Sequence, residues 1–134
     1  MKLSSKTITA IKMFIDLGEH ELDGYISLKD IALRKDLSKK FLEQVVPIYK
    51  NSGLLLINRG NQGGYKLAKK MEDISLKEII YASENSLTNE LTGFTPVDEM
   101  LDKVNLMLDE YFSNVNLAQL VNRQKETYSY DYSI

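Results

Sequence analysis

The side chains in this sequence with chemistry to offer are cations and amides gathered around a glycine-rich stretch, Arg59-Gly-Asn-Gln-Gly-Gly-Tyr65. Arginine presents a planar fork of donors that fits phosphate, and glycines let a backbone come close to a bulky partner. A second set lies upstream, in Ser38, Lys39, Lys40, Glu43 and Gln44. Ser38 opens a helix as an N-cap, which puts both lysines in the first turn. The helix dipole disfavours cations there by about 0.3–1 kcal/mol. Lysines kept at that end suggest an external anion that offsets the repulsion, and phosphate is the obvious candidate.

Catalytic chemistry finds little support. The sequence has no cysteine and one histidine, His20. That excludes a thiolate-held zinc or iron–sulfur cluster, a disulfide and a cysteine nucleophile. His20, within Gly18-Glu-His-Glu-Leu-Asp23, reads as a polar helix end, with a carboxylate–histidine metal site as the remote alternative. The glycine-rich stretch lacks the lysine and serine of a phosphate-binding P-loop. No enzyme, metal or cofactor is therefore expected.

These residues need elements to hold them in place. The apolar residues Ile8, Ile11, Met13, Phe14, Ile15 and Leu17 recur at helical spacing, predicting a first helix over Ser5–Leu17 that Gly18 can end. Two further helices span Ser27–Asp36 and Ser38–Asn51, the second interrupted near Val46 because Pro47 lacks a donor and clashes one turn back. Leu54–Asn58 and Tyr65–Ala68 flank the glycines as short strands, so the stretch between them is a hairpin tip. Tyr65 is expected to pack beneath it. Ser75-Leu-Lys-Glu78 opens a fourth helix with a capping-box pattern, ending near Ser83. A helix–turn–helix followed by a hairpin with arginine at its base reads as a winged helix, an architecture that binds DNA.

The expected fold is thus mostly α with a small β-hairpin wing, a winged helix-turn-helix over residues 1–84. Residues 85–96 read as a linker, 97–125 as dimerisation helices, with a short last helix from Leu117 to Lys125, and 126–134 as a C-terminal tail. Charge divides the same way. Residues 1–70 carry 13 Lys/Arg against 7 Asp/Glu, a net of +6, and residues 71–134 carry 4 against 12, a net of −8. A polyanion suits the first half only. No apolar run approaches the ~20 residues that span a membrane, and the N-terminus lacks a secretory h-region, so a cytoplasmic location is expected.

Val97, Met100, Leu101, Val104, Met107, Leu108, Tyr111 and Phe112 form a long apolar stripe opposite Asp98, Asp102 and Asp109. Such a stripe needs cover, either from its own domain or from a twofold partner helix, and the partner helix is preferred. The tail Tyr128-Ser-Tyr-Asp-Tyr-Ser-Ile134 reads either as a frayed end or as a docking peptide that offers Tyr130, Tyr132 and Ile134.

Several segments together carry a family resemblance: Met1-Lys-Leu-Ser-Ser-Lys6, Ser27-Leu-Lys-Asp-Ile-Ala32, Leu37-Ser-Lys-Lys-Phe-Leu-Glu-Gln44, Ser52-Gly-Leu54, Arg59-Gly60 and Gly63-Gly-Tyr-Lys-Leu67. With these the chain resembles the winged-helix transcriptional repressors typified by the iron–sulfur regulator IscR and the cysteine metabolism repressor CymR, the Rrf-two family. The resemblance covers nearly the whole chain. It implies a homodimer on a double-stranded DNA operator, with the third helix in the major groove. Ser38, Lys39 and Lys40 would then meet phosphates and Gln44 a base edge. Glu43 would accept from cytosine or pair on the surface with Lys39 or Lys40. Arg59, Asn61 and Gln62 would reach the minor groove or its phosphates, with Gly60, Gly63 and Gly64 allowing close approach. Lys2, Ser4 and Lys6 would contact phosphates from the first helix.

The departures from the family pattern matter too. Asn61 and Gln62 replace the usual proline-containing wing tip, and the three cysteines of the iron–sulfur branch are missing from Asn85–Lys103. Pro47 and the tail ending in Ile134 are similar to the cysteine-metabolism branch, which implies cysteine synthase as a partner of the tail. The rival function is a winged-helix adaptor that binds protein and not specific DNA.

Overall fold

Serine and threonine caps set where most helices begin. The computed structural model describes residues 2–84 and 93–133, with side chains described through Tyr128. Its elements are α1 (Ser5–Glu19), α2 (Leu28–Lys35), α3 (Lys39–Val45), β1 (Leu55–Asn58), β2 (Gly64–Leu67), α4 (Leu76–Ser83), α5 (Pro96–Ser113) and α6 (Leu117–Ser133). Ser4, Ser27, Ser38 and Ser75 each accept a hydrogen bond from the backbone N–H three residues on, at 3.1–3.3 Å. Each such cap typically contributes about 1 kcal/mol. In the box expected at Ser75, Glu78 turns instead to Lys69, 3.4 Å away. The reciprocal box forms at α5, where Thr95 and Asp98 exchange backbone and side-chain bonds.

Pro47 breaks its helix as the sequence predicts: α3 stops at Val45 and Val46–Tyr49 continues as a 3-10 turn. Gly18 does not end α1. The helix runs on to Glu19, and Gly18 lies buried inside it, where a Cβ would come within 2.8 Å of both Met71 Sδ and Val121 Cγ2. The glycine permits close packing of α1 against α6. The last helix also exceeds its expected end at Lys125, reaching Ser133 and taking in most of the expected tail.

The core sits among α1, α2, α3, the foot of the hairpin and α6. Ala10, Met13, Phe14, Ile31, Leu42, Val45, Tyr49, Ile74, Leu117 and Val121 are all fully buried there. Each large side chain so buried contributes roughly 1.5–3 kcal/mol. Ile8, predicted on the inner face of α1, is 41% exposed. Tyr49 stands edge-on to Phe14, with ring centres 5.1 Å apart, and donates its hydroxyl proton to the Ile79 carbonyl at 2.6 Å. A two-pronged bond from Arg34 to the buried Asp16, both contacts at 2.9 Å, fixes α2 on α1, and Lys35 pairs with Glu19 beside it. The hydrogen bond to Asp16 raises the Arg34 pKa above its ordinary value.

A second, smaller cluster joins α4 to α5 through Leu76, Ile80 and Phe112, with Leu108 and Val115 half-buried against it. Lys77 bridges to Asp109 at 2.7 Å across the same seam. The starts of α4 and α6 are stitched by the backbone, Leu76 N–H to the Val115 carbonyl and Leu117 N–H to the Ile74 carbonyl. Among the described residues no helix is long and apolar enough to cross a membrane.

Candidate nucleic-acid interface

The wing is a two-stranded antiparallel ribbon in which Leu55 pairs with Leu67 and Asn58 with Gly64. Gly63 N–H bonds the Gly60 carbonyl at 3.0 Å, so Asn61 and Gln62 occupy the two exposed corners of a tight turn. Gly60, at φ 130°, holds a conformation that a residue with a Cβ rarely takes. Gly63 and Gly64 meet a need within the chain itself. A Cβ on Gly63 would lie 2.4 Å from the Asn58 carbonyl oxygen, and one on Gly64 would lie 2.3 Å from that of Ile26. Their bareness lets the chain pack on itself. Ile26 and Tyr65 exchange both backbone bonds at 2.8 Å, adding a one-residue third strand to the wing.

That pairing sets the wing beside the helices. A cleft of about 530 Å³ runs between α3, the start of α2 and the turn end of the wing. Lys39, Glu43, Arg59, Gly60, Gly63 and Gly64 line it together, as the sequence grouped them. Ser27, Lys50 and Asn58 line it as well, and sequence reasoning passed over them. Lys39, Glu43 and Lys50 reach the same cleft because the 3-10 turn Val46–Tyr49, which contains Pro47, carries the helical path onward. Asn58 stands directly across the ladder from Gly64. With Lys39, Lys50 and Arg59 against Glu43, the cleft walls carry a net charge of +2.

Lys40 and Gln44 are exposed on α3 but do not line the cleft. Ser38 Oγ is engaged as the cap of α3, accepting from Phe41 N–H. Lys39 Nζ lies 3.9 Å from Glu43 Oε1, a loose surface pair. Lys2 and Lys6 are exposed at the start of α1 and do not line the cleft. Ser4 between them is committed internally: its Oγ caps α1 and its backbone N–H donates to Glu84 Oε2 at 3.0 Å. Lys66 Nζ sits over the Tyr25 ring, 4.9 Å from its centre, a cation–π contact between β2 and the residue before Ile26.

Arg59 follows the last residue of β1, so the arginine expected at the base of the wing stands beside its tip turn. The arrangement has the parts of a DNA reader, with a capped helix presenting lysines and amides, a glycine-bent wing with arginine beside its tip, and a cationic cleft between them. Comparison with known proteins decides its lineage. A family model described as Rrf2, iron-dependent transcriptional regulator, matches residues 3–123. The chain belongs to the Rrf2 family. Over 133 residues this Rrf2 protein is 30% identical to the HTH-type transcriptional regulator IscR of Yersinia enterocolitica, covering 92% of the chain and 81% of that protein. The solved structure of T. potens IscR superposes with a TM-score of 0.82 at 33% identity, over 95% of this chain and 90% of that one. The structure of CymR, the global cysteine regulator of B. subtilis, gives 0.79 at 28% identity, over 92% and 98%. The Rrf2 protein is a DNA-binding transcriptional regulator with a winged-helix fold, not an enzyme.

An iron–sulfur group does not fit this Rrf2 chain. It has no cysteine to supply thiolates. Among the described residues no three His, Asp or Glu side chains gather as a metal site, and His20 pairs with Asp23 at 2.9 Å.

Proposed function

We propose that the protein acts as a homodimer that binds a specific operator and represses transcription, with genes of cysteine and sulfur metabolism among its targets. One observation carries this reading, the uncovered apolar face of α5. Val97, Met107 and Tyr111 are each more than 60% exposed, and Met100, Leu101 and Val104 lie beside them. Phe112, expected on that face, is buried against Leu76 and Ile80, and Leu108 is half-buried. These two anchor α5 to its own domain while the other six side chains remain for a partner. Apolar patches of that extent on a helix mark interaction sites, and a second copy of the same helix is self-complementary under twofold symmetry. A dimer would present two copies of α3 to half-sites about one DNA turn apart.

In this reading Lys39, Lys40, Lys2 and Lys6 contact phosphates, Gln44 reads a base edge, and Arg59 with Asn61 and Gln62 enters the flanking minor groove. The cysteine-regulon assignment is supported by the likeness to B. subtilis CymR. Light scattering on the wild-type chain and on Met107→Glu tests the dimer. A dimer that the charge splits into monomers, with operator binding lost alongside, is the expected result. A monomeric wild type would contradict it.

The C-terminal residues supply the signal, with cysteine synthase as the partner that reads Tyr130, Tyr132 and Ile134. Their side chains lie outside the described residues, and α6 is helical as far as Ser133, so an extended peptide requires its last turns to unwind. Calorimetry of the full chain against cysteine synthase, with and without Ile134, tests this. Equal binding by both forms would sink it.

A further inference from the structure

Thr7 is fully buried, and its hydroxyl is saturated. It donates its one proton to Glu84 Oε2 at 2.7 Å. Its lone pairs then accept from Ser83 Oγ at 2.6 Å and Ser4 Oγ at 3.0 Å. The same Glu84 oxygen accepts from the Ser4 backbone N–H at 3.0 Å. These bonds join residues 76 to 80 positions apart in sequence and fasten the start of α1 to the end of α4. The Ser4 N–H, and after it the Thr7 hydroxyl, hold the Glu84 carboxyl below its ordinary pKa, so it is a charged clamp at neutral pH.

A segment with few buried contacts opens easily unless it is tied down, and an unordered segment must be ordered when it binds. Lys2 and Lys6 flank Ser4, the residue the clamp grips, and both are exposed. From this geometry we infer that Glu84 is a positioning residue for DNA binding: it fixes the N-terminal segment so that Lys2 and Lys6 meet the DNA backbone already ordered. The carboxylate itself is repelled by phosphate and touches no DNA. Glu84 is also the first residue after α4, at the head of the stretch that leads to α5. The inference rests on the proposed phosphate role of Lys2 and Lys6.

The test is fluorescence anisotropy of the full chain on a duplex from upstream of its own gene, over a salt series, with melting curves in parallel. Glu84→Ala should weaken binding about tenfold and reduce the salt slope by roughly one to two units. The double variant Lys2→Ala/Lys6→Ala should do the same, and adding Glu84→Ala to it should cost nothing further. Glu84→Gln still accepts both bonds and should stay within about threefold of wild type. Should Glu84→Ala fail to fold, Thr7→Val carries the test, with a loss of several-fold and the same change of slope. Unchanged affinity and slope in Glu84→Ala or Thr7→Val, or losses that add to those of the lysine variant, would overturn the inference while leaving the lysines as phosphate contacts. A lysine variant that binds like wild type would overturn both.

Discussion

Gly64 lies so close to Ile26 that a Cβ on it would sit 2.3 Å from the Ile26 carbonyl oxygen. At this point the wing meets the rest of the domain through bare backbone, beside the apolar packing of Leu55 and Leu67 at its foot. Gly64→Ala should force the strand away from Ile26, break its two bonds with Tyr65, and cost about 2–3 kcal/mol. A urea melt checks this, and an unchanged midpoint would show that the close approach is not required.

Tyr49→Phe keeps the edge-on contact with Phe14 but removes the hydrogen bond to the Ile79 carbonyl. With Tyr49 fully buried, a loss of about 1–3 kcal/mol is expected in the same kind of melt, without change in operator preference. Burial raises the phenol pKa, which keeps the proton on the oxygen that donates.

Glu84 makes a pH-dependent contribution to stability. Its folded pKa is depressed below the ordinary 4.5, so its stabilising effect is present above that value. The effect is lost as pH falls through the lower folded value. The difference in melting temperature between wild type and Glu84→Gln should hold steady from neutral pH down to the ordinary carboxylate range and close on further acidification. A difference that widens in acid would contradict the sign.

Much of this was readable in the sequence because it is local. Ser27, Ser38 and Ser75 announce helix starts by capping chemistry, Pro47 breaks a helix wherever it stands inside one, and Arg59 to Tyr65 has the composition of a turn between strands. What escaped depends on residues far apart in the chain. Gly18 looks like a helix stop until Met71 and Val121 are seen packing against it. Phe112 belongs by spacing to the stripe on α5, and only the placement of α4 turns it inward. Lys50 and Asn58 line one cleft only because the turn after α3 and the end of β1 are brought to the same place. Glu84 meets Ser4 across 80 residues, which no local pattern signals.

Within α3, Lys39 and Gln44 should separate by role. Lys39→Ala is expected to weaken all duplexes alike and reduce the salt slope by roughly one unit. Gln44→Ala should relax preference at one base pair by about 1–3 kcal/mol, read from a panel of single-base operator variants. Uniform weakening by Gln44→Ala would remove it from base reading.

Sequence-specific operator binding is tested most directly by anisotropy of the full chain on DNA from upstream of its own gene and on a scrambled duplex, at two salt concentrations. Tight binding that prefers the native sequence and weakens steeply with salt is the predicted result. Weak binding without preference at either salt would contradict it and point to a winged helix turned to protein contacts.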